Sequence, residues 1–254
     1  MPSFFLAHGS PMIAVERNAY TRFLQHLRHR FSEPEVVLVF TAHWERDITT
    51  LSDRDDTYDT IHDFGGFSEE LYRIRYPAKG SREHAQTARI ALEAAGIAVQ
   101  TDRERGLDHG SWVLLRHLFP EADVPVIQAS VHPWLAPDRQ YAIGEALRGL
   151  QEQGWWVIGS GSTVHNLRML DWNDDEPADW AVRFDDWLID RLERHDRDAL
   201  FRYAELAPHA REAVPRPEHF VPLFIAMGAG TAEKPEVIHR SYRYGSLSHL
   251  CLAF

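Results

Sequence analysis

Residues 36–43 read VVLVFTAH, an unbroken apolar run rich in β-branched side chains that ends in a histidine. Such a run predicts a strand buried on both faces, as in a parallel sheet between two helical layers. Similar runs occur in SFFLAH at 3–8, VPVIQAS at 124–130 and WWVIGSG at 155–161. Each is halted by a glycine, serine or histidine, which indicates that the strand ends there.

Helical patterns alternate with these strands along most of the chain. Helices are predicted at 19–30, 82–96, 111–119, 137–153, 179–195 and 218–227, with further strands at 48–53, 97–102 and within 236–254. This alternation predicts an α/β fold with a central, largely parallel sheet flanked by helices. Because no linker, low-complexity tract or internal repeat divides the chain, we expect a single domain spanning residues 1–254.

Composition narrows the possible partners and compartment. The formal net charge of −11 argues against nucleic acid, whose phosphates require a basic face. No segment approaches the roughly 20 apolar residues that span a bilayer, and the start MPSFFLAHGSP lacks the features of a signal peptide. The single cysteine, Cys251, lies in an apolar run and suits a buried position in a reducing compartment. We therefore expect a cytoplasmic protein without a membrane partner.

Five histidines lie at the end of an apolar run or beside glycine and serine. They are His8 in FFLAHGSP, His43 in VVLVFTAHWE, His109 in GLDHGSW, His165 in IGSGSTVHN and His219 in RPEHFVPL. Small neighbours allow a ligand or ion to approach the backbone, and neutral imidazole is the commonest protein ligand for a transition metal. This pattern predicts a metalloenzyme, whereas the other histidines have more ordinary surroundings.

His8 and His43 are the leading candidates for metal ligands. Both end predicted strands that we expect to be adjacent in a parallel sheet, where ligands gather at the carboxyl ends. A bound metal needs at least one further protein ligand. His219 could supply it, and the neighbouring Glu218 is an alternative because a carboxylate would complete a facial triad.

Three further histidines are candidates for catalysis or substrate contact. His165 follows Gly159-Ser160-Gly161, so its ring is accessible and suits a general acid or base near neutral pH. His109 could enter the active site, or Asp108 could cap a helix and leave it in solvent. His62, in HDFGGF, suits a lid or a substrate contact.

Several enzyme signatures are missing from the sequence. The string GSG at 159–161 does not match the G-x-S-x-G of a serine hydrolase, and no G-x-G-x-x-G predicts a dinucleotide site. The histidine motifs also lack the H-E-x-x-H spacing of a zinc peptidase.

Six motifs in order carry a family resemblance that covers essentially the whole chain. They are LAHGSPM, TAHWE, HDFGGFSEELYRIRYPAKG, GLDHGSWVLLRHLFPEADVPVIQAS, IGSGSTVHNLR and RPEHFVPL. Together they closely resemble the 4,5-DOPA extradiol dioxygenase family, within the class III extradiol ring-cleavage superfamily. The resemblance implies a single α/β domain with one metal at the carboxyl ends of the strands.

Carried over by motif, the resemblance implies His8, His43 and His219 as metal ligands and His165 as the acid/base histidine. It also admits His165 as a further ligand when zinc occupies the site. His109 matches an active-site histidine of the family, and His62 belongs to its HDF loop. Several members of the wider superfamily use glutamate as the third ligand, which keeps Glu218 as an alternative.

The implied activity is that of an oxidoreductase in aromatic catabolism. The family opens the ring of catechols such as DOPA beside the diol, inserts both atoms of O2 and forms a yellow semialdehyde. One divalent metal per chain is implied: ferrous iron for ring cleavage, and zinc in isolated protein. Zinc cannot cycle electrons, so a zinc-loaded preparation should be inactive. Two alternatives use the same histidines, namely a zinc hydrolase and a metal-binding protein without turnover.

Overall fold

The apolar runs of the sequence form the strands of one large sheet. The structure is a computed structural model that describes residues 1–173 and 176–254. Its strands are β1 (Ser3–Ala7), β2 (Val36–Glu45), β3 (Thr49–Ser52), β4 (Val99–Asp102), β5 (Val126–Val131), β6 (Trp155–Gly161), β7 (Glu236–His239), β8 (Tyr242–Arg243), β9 (Leu247–Ser248) and β10 (Cys251–Ala253). All but β8 and β9 belong to the large sheet, and those two pair with each other.

Helices cover both faces of this sheet. They are α1 (Ala19–Leu27), α2 (Glu69–Arg73), α3 (Arg82–Ala94), α4 (His109–Leu118), α5 (Pro137–Leu147), α6 (Asp179–Glu193), α7 (Arg197–Phe201), α8 (Tyr203–Leu206), α9 (Ala210–Ala213) and α10 (Pro222–Ala229). Short 3-10 helices lie at Pro11–Ala14, Arg28–Arg30, Arg148–Gln153, Leu167–Met169 and Pro217–His219. No helix among the described residues is long and apolar enough to cross a membrane.

The strand order in the large sheet is β4-β3-β5-β2-β6-β1-β10-β7. Its centre is parallel, since β5, β2, β6 and β1 run in one direction, while β10 and β7 form an antiparallel edge. The predicted α/β domain with a largely parallel sheet is therefore confirmed. The expected adjacency of β1 and β2 is wrong, because β6 lies between them and pairs with both.

Strand β2 shows why its continuous apolar run is needed. Its side chains alternate between two hydrophobic clusters: Val37 and Val39 face one helical layer, and Val36, Leu38 and Phe40 face the other. All five are buried, as expected for a strand between two layers of helices. Burial on both faces fixes the position of β2 and, with it, the residues at its carboxyl end.

Candidate metal centre

Three histidines from three parts of the chain meet at the carboxyl end of the sheet. His8 directly follows β1, His43 lies in the last part of β2, and His219 ends the 3-10 helix Pro217–His219. That helix is held against the end of β6, because the backbone N–H of Ser162 donates to the carbonyl of His219 at 2.9 Å. The ring centres lie 4.9 Å apart for His8 and His43, 5.0 Å for His8 and His219, and 4.9 Å for His43 and His219. The three imidazoles thus form a nearly equilateral triangle.

The hydrogen bonds of His8 and His219 leave their Nε2 atoms free to bind a metal. Ser160 Oγ donates its hydrogen to the Gly110 carbonyl at 2.5 Å, so it accepts from His8 Nδ1 at 2.9 Å. The Nδ1 of His219 lies 3.1 Å from Glu218 Oε1 and donates to that carboxylate. A protonated Nδ1 leaves a lone pair on Nε2, which is how outer hydrogen bonds prepare histidine ligands in metal sites.

The Nε2 atoms point into a common space. Those of His8 and His43 lie 3.1 Å apart, and that of His219 is buried without a hydrogen-bond partner among the described residues. Three imidazoles that share one metal through Nε2 at about 2.1 Å have ring centres roughly 5 Å apart. The observed triangle has that size, so these residues fit a single divalent metal.

Burial keeps the three rings neutral, as metal ligands must be. It lowers the pKa of His43 to about 3, with a further contribution from the charge of His109. Burial also holds the pKa values of His8 and His219 well below the ordinary value of 6.5, and neighbouring histidines lower both further. At neutral pH the cluster therefore offers unprotonated nitrogens.

His165 lies beside the triangle rather than at one of its corners. Its ring stacks on His219, with centres 3.6 Å apart and planes 8° apart. Possible ligand atoms of His165, Glu218 and His219 all lie within 4.8 Å of one another. Burial, followed by the charge of His109, lowers the pKa of His165 to about 4. The ring is thus a neutral imidazole beside the cavity, able to accept a proton.

His109 and Asp63 form a pair on the other side of His43. The Nδ1 and the backbone N–H of His109 both donate to Asp63 Oδ1, at 2.9 and 3.0 Å. The other oxygen of Asp63 lies 3.4 Å from His43 Nδ1. Burial by itself raises the pKa of Asp63, but the hydrogen bonds and charge of His109 lower it to about 2. The carboxylate therefore orients two histidines at once.

The sequence left two alternatives for GLDHGSW: His109 in the active site, or Asp108 as a helix cap with His109 in solvent. The structure combines parts of both. Asp108 caps helix α4, since its Oδ1 accepts from the Ser111 N–H at 3.2 Å, but His109 does not point into solvent. Its side chain is buried and lines the cavity above the triangle. A possible ligand atom of His109 also lies within 4.8 Å of those of His8 and His43.

The structure places Asp63 in the cavity wall and the neighbouring His62 outside it. His62 is not among the described residues that line the cavity. Its Nε2 lies 3.1 Å from the carbonyl oxygen of Ile74, and its ring packs against Trp112. His62 therefore holds its loop, and its expected contact with a substrate stays a prediction. Sequence reasoning did not single out Asp63. The available signal was the carboxylate that directly follows His62 in the HDF motif.

The small residue beside His109 serves packing more than ligand access. A Cβ on Gly110 would lie 2.6 Å from Thr41 Oγ1 and 2.9 Å from His43 Cδ2. Glycine at this position lets the start of α4 approach β2 closely. Small neighbours were expected to let a ligand approach the backbone. At Gly110 the space is instead filled by Thr41 and His43.

Behind the histidines lies a buried polar network that fixes the backbone of β2. The Nη2 of Arg105 donates to the His43 carbonyl and to Asp108 Oδ2, both at 3.0 Å. Asp108 Oδ1 accepts from Thr41 Oγ1 at 2.7 Å. These bonds hold the segment that carries His43 in one conformation, because breaking them would leave buried polar groups unpaired.

Above the triangle is a cavity of roughly 280 Å³. Its lining includes all five singled-out histidines and Asp63, with mainly apolar side chains on the remaining walls. Other depressions of the surface are larger, but they lie away from the histidines. A cavity with neutral metal-binding nitrogens at its base and apolar walls suits a small, largely apolar ligand with a few polar atoms.

Comparisons with known proteins identify relatives of this chain in sequence and in fold. The 4,5-DOPA dioxygenase extradiol of Beta vulgaris is 40% identical over 252 residues, covering 97% of this chain and 94% of the relative. The protein of the same name from Escherichia coli (strain K12) is 37% identical over 258 residues, covering 98% and 93%. The crystal structure of an uncharacterized protein from Escherichia coli K12 has a TM-score of 0.84 at 31% identity, covering 100% of this chain and 99% of that one.

The family model described as the catalytic LigB subunit of aromatic ring-opening dioxygenase matches residues 2–254. This match covers the triangle of histidines, the cavity and the whole sheet. The resemblance read from the six sequence motifs is therefore confirmed, as is the assignment to an oxidoreductase class. The chain belongs to the LigB family of catalytic subunits of aromatic ring-opening dioxygenases, a metal-dependent family.

Proposed function

We propose that this protein cleaves catechols with O2 beside the diol, using one divalent metal held by His8, His43 and His219 within a single catalytic domain of residues 1–254. DOPA, the compound in the relatives' name, is one candidate substrate. The observation that carries the proposal is the triangle of ring centres 4.9 to 5.0 Å apart, with Nδ1 of His8 and His219 engaged elsewhere. Three neutral ligands on one side leave the cavity side open for a diol and O2.

The metal best suited to this reaction is ferrous iron. When bound, it supplies a site for both catechol oxygens and the redox chemistry that O2 requires. Zinc fits the same nitrogens but has no redox chemistry, so a zinc form would bind without turnover. Glu218 orients a metal ligand and is not itself a ligand in this proposal. Its Oε1 accepts a hydrogen bond from Nδ1 of His219.

His165 is the residue we assign to proton transfer. It lines the cavity beside His219, and its pKa of about 4 leaves it neutral at the pH of the cell. A neutral imidazole there can take a proton from a catechol hydroxyl and return it to the opened ring. His109 faces the same cavity from the other side, with Asp63 holding the proton on Nδ1 and leaving Nε2 as an acceptor.

The central test is anaerobic loading with ferrous iron followed by catechol and air. O2 uptake and a yellow product should appear together, and neither should appear with the zinc-loaded protein. A zinc-dependent hydrolase would instead be indifferent to iron and O2. Equal activity of the chelated, zinc-loaded and iron-loaded forms would contradict the proposal.

The role of His165 is tested by His165→Phe, which keeps an aromatic ring stacked on His219 and removes the nitrogens. Loss of a general base should lower turnover roughly a hundred- to ten-thousandfold while iron remains bound. Iron content and O2 uptake are measured on the same preparation. If iron is lost as completely as in His8→Ala, His165 is a ligand and its assignment to proton transfer is wrong.

A further inference from the structure

Tyr244 combines two features that no other non-glycine residue of the described chain combines. Its backbone is left-handed, with a φ of 53°, and it lines the cavity above the histidines. The other described non-glycine residues with a positive φ lie outside that lining; they are Ala122, His195 and His209. A left-handed backbone is uncommon for any side chain and is an outlier for a bulky one. Backbone strain is therefore present in the wall of this cavity.

The turn that contains Tyr244 does not favour a tyrosine. It connects β8 and β9, in which Arg243 pairs with Leu247, and the next residue, Gly245, also has a positive φ, of 74°. Tight hairpin turns use two successive left-handed residues, and asparagine, aspartate or glycine normally fills the first of these positions. The sequence YRYGSL at 242–247 places a tyrosine there instead. A side chain that the local conformation disfavours indicates a functional constraint at that position.

A buried carboxylate anchors the base of this hairpin. Asp185 on α6 is fully buried, and its Oδ2 accepts from Tyr242 Oη at 2.9 Å and from Ser248 Oγ at 2.6 Å. Tyr242 and Ser248 also pair with each other across the hairpin. A strained backbone persists only where the surrounding contacts hold it in place. The anchored base therefore fixes the direction in which the tip presents Tyr244.

Further contacts hold the tip of the hairpin at the mouth of the cavity. The carbonyl of Tyr244 accepts from the N–H of Asp171 at 3.0 Å, and its ring packs on Trp172 with centres 4.7 Å apart. The guanidinium of Arg243 lies over the same ring, 4.7 Å from its centre. Trp172 also lines the cavity, although it is 61% exposed. Tyr244 thus lies where the wall of the cavity meets solvent.

We propose that Tyr244 is a specificity-determining residue, whose ring packs against the substituent of a bound catechol. This inference rests on the proposed function and adds a residue to the same site. When both catechol oxygens face the histidines, a substituent para to one of them points away from the histidines and toward the mouth. A cavity of roughly 280 Å³ holds about one ring with a short substituent, so the substituent meets the walls of the mouth.

The contact is made by the rigid aromatic ring of Tyr244. Such a ring offers a large surface at a small cost in side-chain entropy, and its face also attracts cationic groups. The contact therefore does not require an uncharged substituent, and the amino-acid chain of DOPA can make it. It should contribute to binding of the substituted catechol before any chemical step.

The test compares DOPA with unsubstituted catechol, because the two share the diol and differ in the substituent. Titration calorimetry measures their binding to the zinc-loaded protein without O2, where no turnover occurs. Tyr244→Ala should weaken DOPA binding roughly tenfold and catechol binding less than about threefold. Tyr244→Phe keeps the ring and should bind both compounds within about threefold of the unsubstituted protein. Zinc content should be unchanged in both variants, since neither alters a histidine.

A second comparison tests the strain at the tip of the hairpin. Tyr244→Gly removes the ring as Tyr244→Ala does, but glycine adopts a left-handed backbone without the clash of a Cβ. The glycine variant should therefore have the lower unfolding equilibrium constant by several-fold, the reverse of the usual order within helices and strands. Ala122→Gly is the matched control, since Ala122 has the same φ of 53° outside the cavity lining. It should become more stable with no change in DOPA binding.

The outcomes separate this inference from the proposed function. Equal losses of DOPA and catechol binding in Tyr244→Ala, or no loss of either, would overturn the contact with the substituent. A Tyr244→Phe protein as weak as Tyr244→Ala, or a zinc form that binds no catechol, would overturn it as well. A glycine variant no more stable than the alanine variant would remove the strain that singles out Tyr244. If the variants behave as expected but the iron form cleaves no catechol, the proposed function fails and the role of Tyr244 in binding stands.

Discussion

Glu218 and His219 are neighbours in the chain but meet the candidate metal centre differently. The Nε2 of His219 is buried without a hydrogen-bond partner among the described residues, whereas Glu218 contacts the Nδ1 of the same ring. His219→Gln should therefore reduce bound metal far below one per chain. Glu218→Gln should retain metal with an affinity lowered about 10- to 100-fold at most, as for other residues that orient a ligand.

Elemental analysis after dialysis, together with competition against a chelator, measures both effects. Glu218→Gln is itself the matched control for a glutamine substitution in this helix. The reverse result, metal lost with Glu218→Gln and kept with His219→Gln, would make the carboxylate the third ligand.

Asp63 is the residue whose importance only the structure revealed. Replacing it with asparagine keeps the shape but removes the charge that holds His109 and faces His43. We expect metal affinity or kcat/KM for a catechol to fall about 10- to 100-fold, because carboxylates behind histidine ligands contribute effects of that size. Asp123→Asn, at an exposed loop position, is the control. Unchanged metal affinity and kcat/KM in Asp63→Asn would show that the carboxylate orients neither histidine.

At the scale of secondary structure, the end of β2 departs from a regular strand. Its pairing with β6 runs to Thr41, and its pairing with β5 shifts register between Phe40 and Glu45. His43 lies within this irregular segment. A local bulge changes the direction of the side chains that follow it, which is why bulges often occur beside active sites. The irregular end of β2 thus directs His43 toward His8 despite the intervening strand.

The contact between α4 and β2 also depends on one glycine. A Cβ at Gly110 would press on Thr41 Oγ1 at 2.6 Å and His43 Cδ2 at 2.9 Å, so Gly110→Ala must displace β2 or the helix start. We expect a loss of about 1–3 kcal/mol in the free energy of unfolding. Weaker metal binding should accompany it because His43 moves.

Gly149→Ala is the matched control, since a Cβ there meets nothing within 4 Å. Chemical denaturation and metal titration are measured on both variants. A Gly110→Ala protein as stable and as metal-competent as Gly149→Ala would show that the space between α4 and β2 is not limiting.

For the whole molecule, the buried histidines couple stability to pH. His165 and His43 have folded-state pKa values of about 4 and about 3, below the value of 6.5 in an unfolded chain. The unfolded chain therefore binds protons that the folded one excludes as the pH falls below 6.5. Each such histidine costs the metal-free protein about 1.4 kcal/mol per pH unit until its folded pKa is reached.

The metal-free protein should accordingly lose stability steeply between pH 6.5 and about 4, and a bound metal should raise the melting temperature above that of the metal-free form. Denaturation at a series of pH values checks the slope. His165→Gln should reduce the slope by about one proton, and the exposed His29→Gln controls for removal of any histidine. A flat profile in this range would mean that the cluster is already charged or solvated.

The sequence alone determined the alternation of strands and helices, because apolar periodicity reflects which face of each element is buried. It also singled out the histidines that line the cavity, since their glycine, serine and strand-end surroundings are local features. The tertiary structure decided the insertion of β6 between β1 and β2, which depends on how crossover helices pack rather than on any local pattern. The tertiary structure also decided that Asp63, and not His62, faces the cavity and His109. Adjacent side chains in a non-helical segment face different directions, and only the loop's folded path over α4 sets which one meets His109.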